Sequence, residues 1–317
     1  MKSLWAMTFG CCLALAAADG ACESTYDEMW RPQVHYSPPS MWMNDPNGMI
    51  ELNGTYHLYY QFHPKSTVWG PMHWGHATST DLLHWTTLPV AIEPDAHGAI
   101  FSGSAVIDRR NTAGIGSPSE KPLVAIFTYH DHEAESAKRT EVESQGGAYS
   151  LDEGRTFRKF PTAVLQNPGK RDFRDPQVQW DDDTNRWLMT LVATDHVEFY
   201  TSTNLQKWEF ESTFGADEGD HSGVWECPNL IRVIGSDDRK PHDILMVSVG
   251  PKDAFARGGV QYFIGRFDGR EFRKDPGTNA RWLEYGTDYY AAVTWNRDSV
   301  PRKSAPILLG WMNNWLY

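Results

Sequence analysis

The stretch Trp42-Met43-Asn44-Asp45-Pro46-Asn47-Gly48 places an acid between two amides on a Pro/Gly-punctuated turn, just upstream of the β-rich run Thr55-Tyr56-His57-Leu58-Tyr59-Tyr60. Two echoes follow, Phe173-Arg174-Asp175-Pro176-Gln177-Val178 and Trp225-Glu226-Cys227-Pro228-Asn229-Leu230. Each sets a carboxylate near an aromatic, one or two residues before a proline, at the threshold of an apolar segment. Phe101-Ser102-Gly103-Ser104 and Asp288-Tyr289-Tyr290-Ala291 serve as two further starts of the same unit. The five starts are spaced by about 50 to 75 residues, a loose period with room for loops.

Between them no run shows sustained helical periodicity. Short apolar segments bounded by turn residues appear instead, among them Leu123 to Phe127, Trp187 to Val192 and Ile244 to Val249, as in an all-β fold. A second signature closes the units. Ser79-Thr80-Asp81-Leu82-Leu83-His84-Trp85 is matched by Ser202-Thr203-Asn204-Leu205-Gln206-Lys207-Trp208, with variants at Ser150 to Phe157 and Phe267 to Phe272. A polar turn closed by an aromatic suits the outer hairpin of a four-stranded blade. The expectation is a five-bladed β-propeller, whose innermost strands line one central channel. Asp45, Asp175 and Glu226, at equivalent points of the repeat, then face one pocket. The last blade, ending at Tyr317, is expected to be incomplete.

The chain has 317 residues and a net charge of -12 without any basic run, which argues against nucleic acid as partner. Its 14 Trp and 13 Tyr supply flat amphipathic rings suited to sugar faces as well as to a β core. Lys2, the uncharged apolar run Leu4 to Ala18 and the small residues at its end read as a secretory signal over 1–18, too short for a membrane span. A short lead over 19–30 and a propeller domain over 31–317 complete the expected organisation of an exported, extracellular protein. Cleavage there leaves Cys22 and Cys227, which are no disulfide framework. Asn53-Gly54-Thr55 is a glycosylation sequon and, first of all, a hairpin turn.

Three converging acids suit hydrolysis of a glycosidic bond, which needs one ionised and one protonated carboxyl group. The amides around Asp45 favour its charged form, and the apolar neighbours of Glu226 favour the protonated one. Arg174 is expected to keep Asp175 ionised. His130-Asp131-His132-Glu133 has ligand-like spacing but reads as a solvated loop, and no metal or other cofactor is expected.

Trp42 to Gly48, Phe101 to Ser104, Arg174-Asp175-Pro176, Glu226-Cys227-Pro228 and Val68 to His76 together resemble the signature blocks of glycoside hydrolase family 32. These are the β-fructofuranosidases: invertases, exo-inulinases and levanases. The likeness runs from about Arg31 to Tyr317. It implies that Asp45 is the nucleophile at the fructosyl C2, Glu226 the general acid/base, and Asp175 the stabiliser of the transition state, helped by Arg174. It further implies that Asn44, Gln61, Trp69, Phe101, Ser102, Tyr290 and Trp311 contact the terminal fructose of sucrose or a fructan. Retention of configuration would place Asp45 and Glu226 about 5–5.5 Å apart. The chain departs from the family pattern at Glu143 to Gly147, where an apolar lead-in is replaced, and in lacking the family's C-terminal β-sandwich. Three readings compete: an inverting propeller enzyme acting on pentose polymers, a fructosyltransferase, and a sugar-binding propeller without activity.

Overall fold

In a computed structural model, residues 27–251, 258–297 and 305–315 are described; the expected leader over 1–18 and Cys22 lie outside them. The chain forms consecutive antiparallel sheets. The first contains β1 (Trp42–Leu52), β2 (Thr55–His63), β3 (His73–Ser79) and β4 (Thr86–Ile92). The second contains β5 (Ala99–Ile107), β6 (Leu123–His130), β7 (Glu143–Ser150) and β8 (Arg158–Lys159). A single turn of helix, α1 (His132–Ser136), lies between β6 and β7. The third sheet contains β9 (Phe173–Asp181), β10 (Arg186–Ala193), β11 (His196–Ser202) and β12 (Glu209–Phe214). The fourth contains β13 (Trp225–Ile234), β14 (Pro241–Val249), β15 (Gly259–Phe267) and β16 (Phe272–Lys274), with β17 (Arg281–Trp282) also on β15. Last come β18 (Tyr290–Thr294), β19 (Asn296–Arg297) and β20 (Leu308–Trp311). β18 pairs with β20, and β19 runs parallel to β1.

Strands such as β6, β10 and β11 are buried along nearly their whole length, because each sheet packs against the next. Ile50, Tyr59 and Trp74 of the first pack on Ile100, Ala125 and Phe127 of the second. Val124 and Ile126 meet Phe173, Val178 and Met189 of the third. Leu188 and Phe199 meet Trp225, Leu245 and Phe263 of the fourth. The β18–β20 pair joins both ends of this series. Ala292 packs on Met246 and Val260, while Tyr290 and Trp311 pack with Leu58 and Tyr60. Sheets packed face to face make an all-β propeller, with β1, β5, β9 and β13 the inner strands of its four sheets. At the centre, the Asn296 side chain donates to the carbonyls of Ala105 at 2.7 Å and Val178 at 3.3 Å, tying β19 to two inner strands.

The turn signature has a direct structural cause. Ser79 Oγ accepts from the amides of Asp81 and Leu82, and Asp81 Oδ1 from those of Leu83 and His84. Ser202 and Asn204 repeat the pattern between β11 and β12. Ser150 and Asp152 do so between β7 and β8. Side-chain oxygens thus satisfy the turn's backbone donors. Asn53 and Gly54, with φ of 52° and 79°, make the two-residue hairpin between β1 and β2.

Candidate active site

The repeat of acids proves to be a repeat of β-bulges. Along β9, Arg174 pairs with Val192 and Gln177 with Thr190, so three steps on β9 face two on β10. β13 does the same between Glu226 and Asn229, β5 between Ile100 and Gly103, and β18 between Tyr290 and Val293. β1 does it twice, first between Met43 and Pro46. A bulge bends the strand and re-aims a side chain that regular alternation would send into the sheet's own packing. Asp175, Cys227 and Ala291 adopt φ of 63°, 48° and 52° there. Such left-handed geometry costs about 1–3 kcal/mol for a non-glycine residue. The register corrects one expectation: the three acids do not occupy equivalent positions. Glu226 is the last paired residue before its bulge, Asp175 lies one step further on, and Asp45 is two steps beyond Met43. Arg174 and Tyr290 hold the position of Glu226 in their own strands.

The bulges bring the acids together. Cys227 is the hub: its N–H donates to Asp175 Oδ2 at 2.8 Å, and its Sγ lies 3.5 Å from Asp45 Oδ2 and 3.6 Å from Asp175 Oδ2. Burial pushes the Cys227 thiol well above its usual range, with Asp175 and Asp45 adding to the effect, so it is a neutral neighbour of the carboxylates. Asp45 receives Ser102 Oγ at 2.7 Å on one oxygen and Asn44 Nδ2 at 3.0 Å on the other. Trp42 Nε1 orients Asn44 by donating to its Oδ1 at 2.7 Å. Every donor to Asp45 is neutral.

Glu226 is held by a charge. Arg174 Nε and Nη2 reach its Oε1 at 3.3 and 3.2 Å, and the Tyr290 hydroxyl donates to Oε2. Burial raises the Glu226 pKa, Arg174 opposes this, and the charge of Asp45 adds to it. Asp175 is also raised, to about 8, by burial against the pull of Arg174, with Glu226 and Asp45 pushing the same way. Arg174 therefore does not keep Asp175 ionised. Its guanidinium bonds go elsewhere: to Glu226, to Glu143 at 3.2 Å and to Asp172 at 2.6 Å. Burial and repulsion between neighbouring carboxylates thus raise both Asp175 and Glu226.

The remaining expected contacts ring this centre. Phe101 stacks on His130 with ring centroids 4.2 Å apart, and Trp69 meets Phe101 edge-on at 5.9 Å. Trp311 pairs with Tyr290 across β18–β20 and lies edge-on to Trp42 at 6.2 Å. Gln61 is buried and donates to Asn47 Oδ1 at 2.6 Å and to the Ile100 carbonyl at 3.0 Å, so in this structure its amide hydrogens are engaged with protein.

Four residues escaped the sequence reading. Glu143 is buried between Arg174 and His130, and despite burial those cations hold its pKa below the usual range. Thr128 Oγ1 accepts the Asp175 N–H at 3.0 Å and donates to Gln145, which in turn donates to the Phe173 carbonyl at 2.7 Å. Asp172 completes the set around Arg174. Glu143 and Gln145 fall in the segment that departs from the family pattern, and a charge inside a β-rich segment was the available signal. Gly146 belongs there for steric reasons, since a Cβ would meet the Tyr129 ring at 2.4 Å. The solvated-loop reading of His130 to Glu133 also needs correction. His130 is buried at the end of β6, and Asp131 caps α1 by accepting from the amides of Glu133 and Ala134.

The chain resembles known proteins along most of its length. Residues 35–317 match the model of the glycosyl hydrolases family 32 N-terminal domain. The chain is 49% identical over 305 residues to a levanase of Bacillus subtilis, covering 95% of this chain and 44% of that protein. It is 39% identical over 320 residues to an extracellular exo-inulinase of Aspergillus ficuum, covering 92% and 59%. The crystal structure of an exo-inulinase from Aspergillus awamori superposes with a TM-score of 0.80 at 36% identity, covering 92% of this chain and 61% of that one. The chain thus spans about half the length of these curated relatives.

Proposed function

Because the chain belongs to glycosyl hydrolase family 32, we propose that it is a retaining β-fructofuranosidase that removes terminal fructosyl units from sucrose, inulin or levan. The observation that carries this reading is the meeting of Asp45, Asp175 and Glu226 around Cys227, at or beside the bulges of β1, β9 and β13. In the proposed double displacement, Asp45 attacks the fructosyl C2 while Glu226 gives its proton to the leaving oxygen. Ester formation removes the charge of Asp45. That loss lowers the pKa of Glu226, which then takes a proton from the attacking water. Asp175 holds ring hydroxyls whose contacts tighten as positive charge develops, and the acid-rich pocket favours that charge. Trp69, Phe101, Asn44, Ser102, Tyr290 and Trp311 form the wall against the terminal sugar. Gln61 acts by fixing Asn47.

The β18–β20 pair is proposed as the inner part of a fifth blade, because it packs between the fourth sheet and the first. The proposed domain covers 31–317, preceded by a lead over 19–30 and an export signal over 1–18. The extracellular names of the exo-inulinase relatives support export. Release of fructose from each of the three substrates, with NMR of the first-formed anomer, tests the reading. Retained configuration supports it. Inversion would point to the pentan-cleaving class, and saccharide binding without fructose release to an inactive relic. Fructosyl transfer to sugar at high sucrose would favour the transferase.

A further inference from the structure

The turn between β6 and β7 carries a cluster that the proposed reaction does not use. One nitrogen from each of His130 and His132 and one oxygen of Glu135 all lie within 4.8 Å of one another. Glu135 Oε2 is 3.1 Å from His130 Nε2 and 3.5 Å from His132 Nδ1. Those separations bracket the edge, about 3.3 Å, of a tetrahedron whose ligands stand about 2.0–2.1 Å from a central ion.

The backbone presets this arrangement. Asp131 caps α1, and Arg139 Nη2 holds the other oxygen of that cap at 3.0 Å. One helical turn then puts His132 and Glu135 on the same face, three residues apart. His130 arrives from the end of β6, and its ring is fixed by stacking on Phe101.

A further observation points to a ligand. His130 Nδ1 faces the buried Glu143 carboxylate at 3.4 Å, leaving Nε2 turned to the cluster. A carboxylate behind a metal-binding imidazole is the usual means of orienting it and raising its basicity. The outer side is open. The side chains of Glu135 and His132 are 59% and 38% exposed, which gives an ion a path in and leaves a fourth position for water.

We propose that His130, His132 and Glu135 form a binding site for a divalent transition metal ion, distinct from the three acids and seated behind the Trp69–Phe101 wall. Two imidazoles and one carboxylate select zinc, nickel, cobalt or copper over calcium or magnesium. The ion would hold α1 to β6 and so stiffen Phe101, which stacks on His130, and Trp69, which meets His132 edge-on at 6.3 Å. The site does not depend on the chemistry assigned to Asp45, Asp175 and Glu226.

The test is calorimetric titration of the untagged full chain with Zn2+, beside His132→Ala, Glu135→Gln and, as control, His84→Ala in the exposed β3–β4 turn. The expected result is one site per chain, weakened roughly tenfold or more by His132→Ala and by Glu135→Gln and unaltered by the control. Electron paramagnetic resonance of the chain with one equivalent of Cu2+ should show coupling to two nitrogens, and to one in His132→Ala. Both replaced side chains are partly exposed, and circular dichroism of each variant confirms its fold. No binding by the full chain, or equal affinity in all four proteins, would mean an ion-pair cluster only and overturn the proposal. Because no step involves sugar, the outcome is separate from that of the fructose-release assay.

Discussion

Asp45 and Glu226 share one pocket but are held in opposite ways. Asp45 is fixed by the hydroxyl of Ser102 and the amide of Asn44, whose donors carry no charge. Glu226 is gripped by a guanidinium that two further carboxylates, Glu143 and Asp172, also claim. Under the proposed mechanism, the difference lets one cavity give two tasks to one functional group. Neutral donors orient an attacking oxygen without tying it into an ion pair. A shared cation tempers the rise in pKa that burial imposes on Glu226, so its proton remains transferable instead of being locked in place.

The largest effect should come from Asp45→Asn, which removes the attacking oxygen. Fructose release from sucrose, inulin and levan should fall by about 10⁴-fold or more, whatever the leaving group. Glu226→Gln should fall by about 10²–10⁴-fold on sucrose. It should lose far less on a fructoside whose leaving group is acidic enough to depart without a proton. Equal losses on both substrates would erase the distinction between the two carboxyl groups.

Glu143→Gln sharpens the comparison. Removing that charge frees Arg174 to pair more closely with Glu226 and removes a nearby anion, and both changes lower the Glu226 pKa. The proposed reaction needs protonated Glu226, so activity should be lost as pH rises through its raised pKa. The alkaline limb of kcat/KM should move to lower pH by roughly half a unit or more. The acid limb should stay in place. A simple loss of packing would lower kcat/KM across the profile without moving either limb.

The smallest effect is on stability. The pKa of Asp175 is raised in the folded state, so its contribution to stability is fully present below the ordinary carboxyl range and is lost as pH rises toward about 8. Asp175→Asn should abolish most turnover yet raise Tm at pH 8 by roughly 2 °C or more, with less gain at pH 4. Asparagine also accepts the left-handed backbone that position 175 adopts. Thermal melts at the two pH values check this.

Much of this comparison was legible in the sequence. The prolines after Asp45, Asp175 and Cys227 mark strand bulges, which recur because each inner strand must turn side chains toward the same channel. The Ser-x-Asp and Ser-x-Asn turns mark outer hairpins because their side chains satisfy turn amides locally. Relations across strands were not legible. The register that offsets the three acids by one step each depends on pairing with β2, β10 and β14. The role of Arg174 was misread because adjacency in sequence suggested a pair with Asp175, whereas successive residues of a strand point to opposite faces, and the guanidinium goes to Glu226. Glu143 lay in a segment that showed only a departure from pattern. Its meaning required Arg174 and His130 beside it.

The most direct test of the central claim is to trap the glycosyl-enzyme. The Glu226→Gln protein, given a fructosyl donor with a good leaving group, should accumulate the covalent species because no base remains to activate water. Peptide mass spectrometry should then find one fructosyl unit on the peptide containing Asp45, at Asp45 itself. An adduct on Asp175 or on any other side chain, or rapid turnover to product of inverted configuration, would contradict the account.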